Sequence, residues 1–123
     1  MYRTAVIRPL NAHHYLQGDF GRESEPHTHP YQVEWIRQNR ELDENGFATD
    51  IAAMERTLEM VLEQIDNRLL NDLPFFHERQ TSLENVARYL AERLDGELPQ
   101  PGSRTEIKIW ESATAWASYE RDS

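Results

Sequence analysis

The hydrophobic side chains between residues 51 and 65 recur every three to four positions, and this repeat constrains the fold more than any other feature of the sequence. The repeat is typical of an amphipathic α-helix, whose apolar stripe has to be covered by another layer of structure. Thr49 or Asp50 is suited to cap the first turn, because its side-chain oxygen can accept a free backbone N–H. The apolar positions are Ile51, Met54, Leu58, Val61, Leu62 and Ile65.

A second helix is predicted after Pro74, which interrupts the helical repeat. Thr81 and Glu84 fit a T-x-x-E capping box at its start, and the helix is expected to end near Asp95-Gly96. Its apolar positions are Leu83, Val86, Leu90 and Leu94.

Alternating apolar and polar side chains predict two strands before the helices and two after them. The first pair covers Thr4 to Leu16 and His29 to Arg37, separated by a polar loop. The second pair covers Thr105 to Glu111 and the segment SATAWASYERD, after the Pro-rich linker ELPQPGS. This β-β-α-α-β-β order predicts an α+β fold with two helices on one face of a four-stranded, mostly antiparallel sheet. The two unpaired sheet edges favour a homo-oligomer.

Composition excludes several classes of protein. The 123 residues, which fit a single domain spanning 1–123, include no cysteine. A disulfide framework, a thiolate metal site and a cysteine nucleophile are therefore excluded, and a reducing cytoplasmic location is favoured. The net charge of −9 repels nucleic acid and anionic membranes. No segment approaches the roughly 20 apolar residues of a membrane span. We expect a cytoplasmic protein without nucleic-acid or membrane partners.

Four of the five histidines, His13, His14, His27 and His29, lie within 17 residues. If the second strand begins early, His27 and His29 project from one face about 7 Å apart, and parity favours His14 over His13 as a third ligand. Three imidazoles with an open fourth position describe a catalytic zinc site. The spacing alone leaves open a surface histidine pair and an H-x-H segment in a solvated loop.

Other polar residues have structural and functional interpretations. Glu111 closes an otherwise apolar strand face, where a carboxylate points into water or pairs with a ligand that offers two adjacent N–H donors. Thr81 and Ser82 belong to the segment predicted to cap the second helix, and Asp66 is expected at the end of the first helix.

Six segments, in order, resemble motifs of the 6-pyruvoyl-tetrahydropterin synthase / 6-carboxy-tetrahydropterin synthase family, and together they cover nearly the whole chain. LNAHHYL is similar to the family pattern F-x-A-A-H-x-L, and HTHPYQV is similar to H-G-H-x-Y-x-V. The segments GFATDI and IDNRLLND resemble the sequences at either end of the first helix. TSLEN resembles the start of the second helix, and IKIWES resembles the strand that ends in a pterin-anchoring glutamate.

The resemblance implies the tunnelling fold and a zinc-dependent lyase of folate or queuosine biosynthesis. It implies that Zn²⁺ binds His14, His27 and His29 and polarises the side-chain hydroxyls of a pterin substrate. Glu111 would hold the pterin ring, with Thr81 and Ser82 near the same pocket. Family members assemble as trimers stacked into hexamers, so a trimer or hexamer is implied here.

Two departures from the family pattern bear on the reaction. Glu23 stands where the family has its reactive cysteine, and the family's Asp-His pair reads Asp66-Asn67. The resemblance therefore implies that Glu23 or Glu25 is the base and that Asp66 assists. One branch of the family uses glutamate in place of cysteine and cleaves the side chain of 7,8-dihydroneopterin to give 6-hydroxymethyl-7,8-dihydropterin. The alternatives are a pterin- or purine-binding protein without activity and a protein that uses zinc only for stability.

Overall fold

Four strands and two helices follow one another in the predicted order in the computed structural model, which describes residues 1–123. The sequence of elements, β-β-α-α-β-β, confirms the α+β fold predicted above. The elements are β1 (Tyr2–His14), β2 (His27–Asn39), α1 (Ile51–Ile65), α2 (Leu83–Glu97), β3 (Arg104–Ser112) and β4 (Ala115–Asp122).

The strands form one sheet in the order β1-β2-β3-β4, with every neighbouring pair antiparallel. The sequence order therefore equals the spatial order, and β1 and β4 lie at the two edges. The register places His14 opposite His27, and Ala12 opposite His29. All three histidines thus lie on one face of the sheet, at the end where β1 finishes and β2 begins.

Both helices pack on that same face, and the apolar residues between the two layers form the core. Trp35, Ile107 and Ile109 of the sheet are completely buried against Leu58 of α1 and Leu90 of α2. Burying a side chain of this size stabilises the fold by about 1.5–3 kcal/mol. Because these residues have to face the core, their spacing in the sequence predicts a strand or a helix. Neither helix combines the length and hydrophobicity that a membrane crossing requires.

Strand boundaries differ from the predicted ones for local reasons. Strand β2 begins at His27 instead of His29, so both histidines belong to the strand. Strand β1 ends at His14 instead of Leu16, because the backbone N–H and carbonyl of Tyr15 pair with the side chain of Asn71 and not with β2. Ala113 lies in the turn before β4 and not on the strand.

One capping prediction is confirmed and one is wrong. Asp50 caps α1, because its carboxylate accepts the N–H of Ala53 at 3.0 Å. The capping box predicted for Thr81 is wrong: Ser82 caps α2 and accepts the N–H of Asn85 at 3.2 Å. Thr81 is one residue too early, and its hydroxyl donates to the carbonyl of Tyr15 at 3.0 Å instead. Helix α2 also continues past the predicted end, to Glu97.

Candidate functional site

Three histidine rings converge at the β1–β2 end of the helix-covered face. The centroid of the His14 ring is 4.6 Å from that of His27 and 5.4 Å from that of His29, and the His27 and His29 centroids are 4.6 Å apart. One ring nitrogen from each residue lies within 4.8 Å of the other two. Strands β1 and β2 produce this convergence, because His14 and His27 are directly paired and His29 follows two residues later on the same face.

Hydrogen bonds determine which ring nitrogens are free. Nδ1 of His14 lies 3.0 Å from the carbonyl oxygen of Thr81 and 2.9 Å from its hydroxyl. Nδ1 of His27 donates to the carbonyl of Glu25 at 2.6 Å. A proton held at Nδ1 leaves the lone pair of Nε2 available.

The Nε2 atoms of His14 and His27 are both buried and have no hydrogen-bond partner. Buried polar atoms are normally paired, so two unpaired nitrogens within one cluster of rings indicate a site for a ligand. Three neutral imidazoles of this kind fit a divalent cation, with the Nδ1 hydrogen bonds orienting two of the rings. His14, His27 and His29 thus have the donor set and the hydrogen-bonded support that a metal centre requires.

The protonation state of His14 suits metal binding. Burial and, to a smaller extent, the neighbouring His27 and His29 lower its pKa from the usual 6.5 to about 4. His14 is therefore neutral near pH 7, and a metal ion need not displace a proton from it.

Of the two glutamates in the preceding loop, the structure brings Glu23 to the histidines. A carboxylate oxygen of Glu23 is 2.9 Å from Nε2 of His27 and 3.7 Å from Nε2 of His29. The contact with His27 does not have hydrogen-bond geometry, and half of the Glu23 side chain is exposed to solvent. The side chain of Glu25 is exposed, and Glu25 contributes only its carbonyl. A group that binds at the histidines therefore meets the carboxylate of Glu23 first.

Tyr31 extends the site along β2, and the sequence interpretation missed it. Its ring stacks on that of His29, with centroids 5.4 Å apart and planes 9° apart. Burial raises the pKa of the Tyr31 phenol, and the carboxylates of Glu111 and Glu23 raise it further. Tyr31 has the same strand parity as His27 and His29, and this parity was the signal that could have identified it.

Glu111 lies on the same face as the histidines, at the exposed end of β3. Gln32 pairs with Trp110, and continuing that antiparallel register places Glu111 opposite Tyr31. Glu111 therefore lies beside Tyr31 on the neighbouring strand, and its side chain is exposed.

The remaining predicted site residues have other contacts. Thr81 is completely buried and holds His14, whereas Ser82 caps α2. Asp66 follows α1 and accepts the backbone N–H of Asn11 at 2.7 Å. Its contacts reach Asn11 and Asn67, not the histidines.

A large cavity lies elsewhere. It has a volume of about 980 Å³ and is found at the opposite end of the sheet, between the β2–α1 and α2–β3 connections. Arg37 and Gln100 contribute to its walls, and no histidine does. Cavity size and candidate chemistry therefore point to different ends of this molecule, and the unpaired histidine nitrogens are the better guide.

The family model described as 6-pyruvoyl tetrahydropterin synthase matches residues 4–122. The chain belongs to this family. A family of this kind consists of lyases and synthases of pterin metabolism that act on pterin substrates and are typically metal-dependent.

Individual 6-pyruvoyl tetrahydropterin synthases have the same fold. A Caenorhabditis elegans protein named "Putative 6-pyruvoyl tetrahydrobiopterin synthase" is 28% identical over 96 residues, which is 76% of this chain and 69% of that protein. The structure of Caenorhabditis elegans 6-pyruvoyl tetrahydropterin synthase superposes with a TM-score of 0.84 at 22% identity, covering 98% of this chain and 96% of that one.

A Plasmodium vivax 6-pyruvoyltetrahydropterin synthase superposes with a TM-score of 0.79 at 15% identity, covering 100% of both chains. That structure is of a catalytic residue mutant in which a glutamate is replaced by alanine. At these identities the superpositions establish the tunnelling fold.

Proposed function

We propose that this protein is a zinc-dependent lyase that cleaves the C6 side chain of a dihydropterin in a retro-aldol manner. The observation that carries the proposal is the position of the Glu23 carboxylate, 2.9 Å from His27 and 3.7 Å from His29. This position brings a candidate base, Glu23, to the three histidines that would bind the metal. The substrate that fits best is 7,8-dihydroneopterin, which would be cleaved at the bond between the first and second side-chain carbons to give 6-hydroxymethyl-7,8-dihydropterin and glycolaldehyde.

His14, His27 and His29 would hold the metal. Three imidazole nitrogens without a thiolate suit Zn²⁺, and an open fourth position is typical of catalytic zinc. A bound zinc ion supplies Lewis acidity to the hydroxyl oxygens of the substrate side chain. Thr81 fixes the orientation of His14 through two contacts with its Nδ1, as outer hydrogen bonds do in zinc sites.

Glu23 is the proposed base. In the retro-aldol step a base takes the proton of the hydroxyl on the second side-chain carbon, which leaves as the aldehyde carbon. The electron pair of the broken C–C bond stays on the first side-chain carbon, which then receives a proton. The carboxylate of Glu23 is half exposed, so it can exchange a proton with solvent between the two steps. The Plasmodium vivax relative has a glutamate as a catalytic residue, which supports a glutamate base, and the contacts of Glu23 with His27 and His29 favour Glu23 over Glu25.

Glu111 is the proposed anchor of the pterin ring. A carboxylate accepts two parallel hydrogen bonds from adjacent N–H groups, and such charge-assisted pairs are among the stronger ones. Glu111 lies on the histidine face beside Tyr31, and its side chain is exposed, so its carboxylate is accessible to a ligand. Ser82 stays a candidate for a substrate contact beside Thr81. A direct catalytic role for Asp66 stays a prediction.

The deciding experiment is incubation of zinc-loaded protein with 7,8-dihydroneopterin and, separately, with its triphosphate, followed by chromatography of the products. We expect 6-hydroxymethyl-7,8-dihydropterin from the first substrate. Substrate that binds without any product would reject the lyase and identify a pterin-binding protein instead.

The matched pair Glu23→Gln and Glu25→Gln tests the base. Both remove one negative charge from the same loop, so they differ only in position. We expect Glu23→Gln to lower kcat by roughly 10²–10⁴-fold and Glu25→Gln to change it by less than about threefold. The reverse result would move the base to Glu25. Glu111→Gln should raise KM by roughly 10- to 100-fold, because it removes a charge-assisted contact with the ring.

Metal identity and assembly have their own measurements. We expect one Zn²⁺ per chain by elemental analysis, and chelation should lower the melting temperature, because a ligand that binds only the folded state stabilises it. An unchanged melting temperature would argue against a resident metal. The two unpaired sheet edges, on β1 and β4, support a trimer or hexamer, which light scattering can test.

A further inference from the structure

The loop that carries Glu23 has little hydrophobic anchoring. We call Gln17–Glu25 the Glu23 loop. Its short helical turn, Gly21–Ser24, contains no buried residue. Gly18 and Gly21 have φ values of 115° and 64°, which L side chains rarely adopt. The conformation of this loop, and hence the position of Glu23, depends on its hydrogen bonds.

Gln80 holds the entrance of the Glu23 loop with both ends of its side-chain amide. Its Oε1 accepts the backbone N–H of Gln17 at 2.6 Å, and its Nε2 donates to the backbone carbonyl of the same residue at 2.9 Å. The side-chain amide thus binds both the N–H and the carbonyl of one residue, as the backbone of a neighbouring strand does in a β-sheet. Beside it, the backbone N–H of Leu16 donates to the carbonyl of Glu23 at 2.7 Å. The clamp at Gln17 therefore lies one residue from the bond that places Glu23.

The other side-chain bonds of the loop do not replace this clamp. Ser24 donates to the carbonyl of Gly18 at 2.7 Å and accepts the N–H of Phe20 at 2.9 Å, so it closes the loop on itself. His27 bonds to the loop from β2. Gln80 is the side chain that joins the loop to the segment preceding α2, and the next residue, Thr81, holds His14.

We propose that Gln80 is a positioning residue that sets Glu23 against the histidines. The proposal rests on the function proposed above for Glu23. Residues 80 and 81 then support the base and a metal ligand from one short segment, so that the two stay in register with each other. Loss of the clamp lets the loop entrance move, and a displacement of about 1 Å in a reacting group can cost on the order of 100-fold in rate.

The test uses Gln80→Met, which keeps the length of the side chain and removes both hydrogen bonds. We expect kcat for 7,8-dihydroneopterin to fall roughly 10- to 100-fold while KM and zinc affinity change by less than about threefold. Gln80→Glu keeps the acceptor for the Gln17 N–H and loses the donor, so an intermediate kcat is expected. This second variant carries the test if Gln80→Met does not fold.

Gln100→Met is the matched control. Gln100 also binds a loop, donating to the carbonyl of Ala48 at 3.0 Å and accepting from the hydroxyl of Thr49 at 2.9 Å and from Arg37 at 3.3 Å, but it lies at the opposite end of the sheet. We expect this variant to lower the melting temperature and leave kcat within about twofold. An equal loss of kcat in both variants would show a general effect of stability and overturn the proposal.

A double-mutant cycle with Glu23→Gln separates positioning from structure. If Gln80 acts through Glu23, adding Gln80→Met to Glu23→Gln should lower kcat no further than Glu23→Gln alone. A loss of kcat by the same factor in both backgrounds would overturn the proposal. Full activity of Gln80→Met beside an inactive Glu23→Gln would overturn only the role of Gln80. Wild-type protein without turnover, or an active Glu23→Gln, would instead reject the proposed function on which it rests.

Discussion

The helix-covered face of the sheet buries a polar cluster at each end, and the two clusters are built in different ways. At one end, Arg37 and Asp95 form an ion pair at 3.3 Å, and Thr105 donates to the same carboxylate at 2.7 Å. At the other end, the cluster consists of three imidazole rings, those of His14, His27 and His29. The clusters differ in burial: the side chains of Arg37 and Asp95 are 1% and 9% exposed, whereas those of His27 and His29 are 22% and 27% exposed.

The two clusters also differ in whether a buried charge has its counter-ion within the fold. Burial lowers the pKa of the Arg37 guanidinium, and the adjacent Asp95 opposes that shift, so the charge has its counter-ion in the fold. Burial, with smaller contributions from His27 and His29, lowers the pKa of His14 to about 4 despite the opposing effects of Thr81 and Glu23. A neutral His14 whose Nε2 has no hydrogen-bond partner can serve as a ligand to a cation. This contrast separates a structural cluster from a candidate site more clearly than the cavity, which lies at the Arg37 end.

The largest expected effect is the loss of stability when the ion pair of Arg37 and Asp95 is broken. Asp95→Ala leaves Arg37 buried without its counter-ion, and we expect a loss of about 3–5 kcal/mol in the free energy of unfolding. Denaturant titration measures this loss. If the cluster is purely structural, the folded fraction should bind zinc with unchanged affinity. A weaker zinc affinity in folded Asp95→Ala would show that the two ends are coupled.

The next effect concerns pH and the metal-free protein. The pKa of His14 is about 4 in the folded protein and 6.5, the ordinary value, in the unfolded chain. The unfolded chain therefore binds the proton first as the pH falls. The contribution of His14 to stability is therefore complete above pH 6.5 and is lost between pH 6.5 and about 4. The loss amounts to about 3 kcal/mol.

Unfolding of chelated protein across this pH range, compared with His14→Gln, measures that contribution. Gln cannot titrate, so its stability should fall less steeply over the same interval. Parallel pH profiles for the two proteins would show that His14 does not carry the effect.

Much of the histidine end follows from the sequence, because strand parity is a strong constraint. His14, His27 and His29 share a face as soon as β1 and β2 are paired, and Glu111 follows from the parity of β3. Tyr31 obeys the same rule, yet an aromatic residue inside an alternating strand is ordinary core, so the pattern alone does not mark it as part of a site.

Loop and cap details do not follow in the same way. The choice between Glu23 and Glu25 depends on the path of the Glu23 loop, which has no periodicity and is set by Gly18, Gly21 and the side chain of Gln80. The adjacent pair Thr81-Ser82 offers two hydroxyls that can each cap a helix. The burial of Thr81 beside His14 decides between them, and that contact spans 67 positions of the chain.

A smaller effect is expected from Thr81→Val, which keeps the shape of the side chain and removes its hydroxyl. His14 retains the Thr81 carbonyl as an acceptor at 3.0 Å, so we expect zinc affinity to weaken by about tenfold, near the lower limit for losses of supporting hydrogen bonds. Competition with a chelating dye measures the change. Thr105→Val is the matched control: Thr105 is equally buried but bonds to Asp95, and its loss should leave zinc affinity unchanged.

The smallest effect separates Ser82 from Thr81. Ser82→Ala removes the N-cap of α2, and we expect it to cost about 1 kcal/mol of stability. Asp50→Ala removes the corresponding cap of α1 and should cost a similar amount. Neither should change zinc affinity if His14 is held by Thr81 alone, because the Thr81 carbonyl and hydroxyl are outside the helix. Weaker zinc binding in Ser82→Ala, but not in Asp50→Ala, would show that the start of α2 has to be capped for Thr81 to hold the ligand.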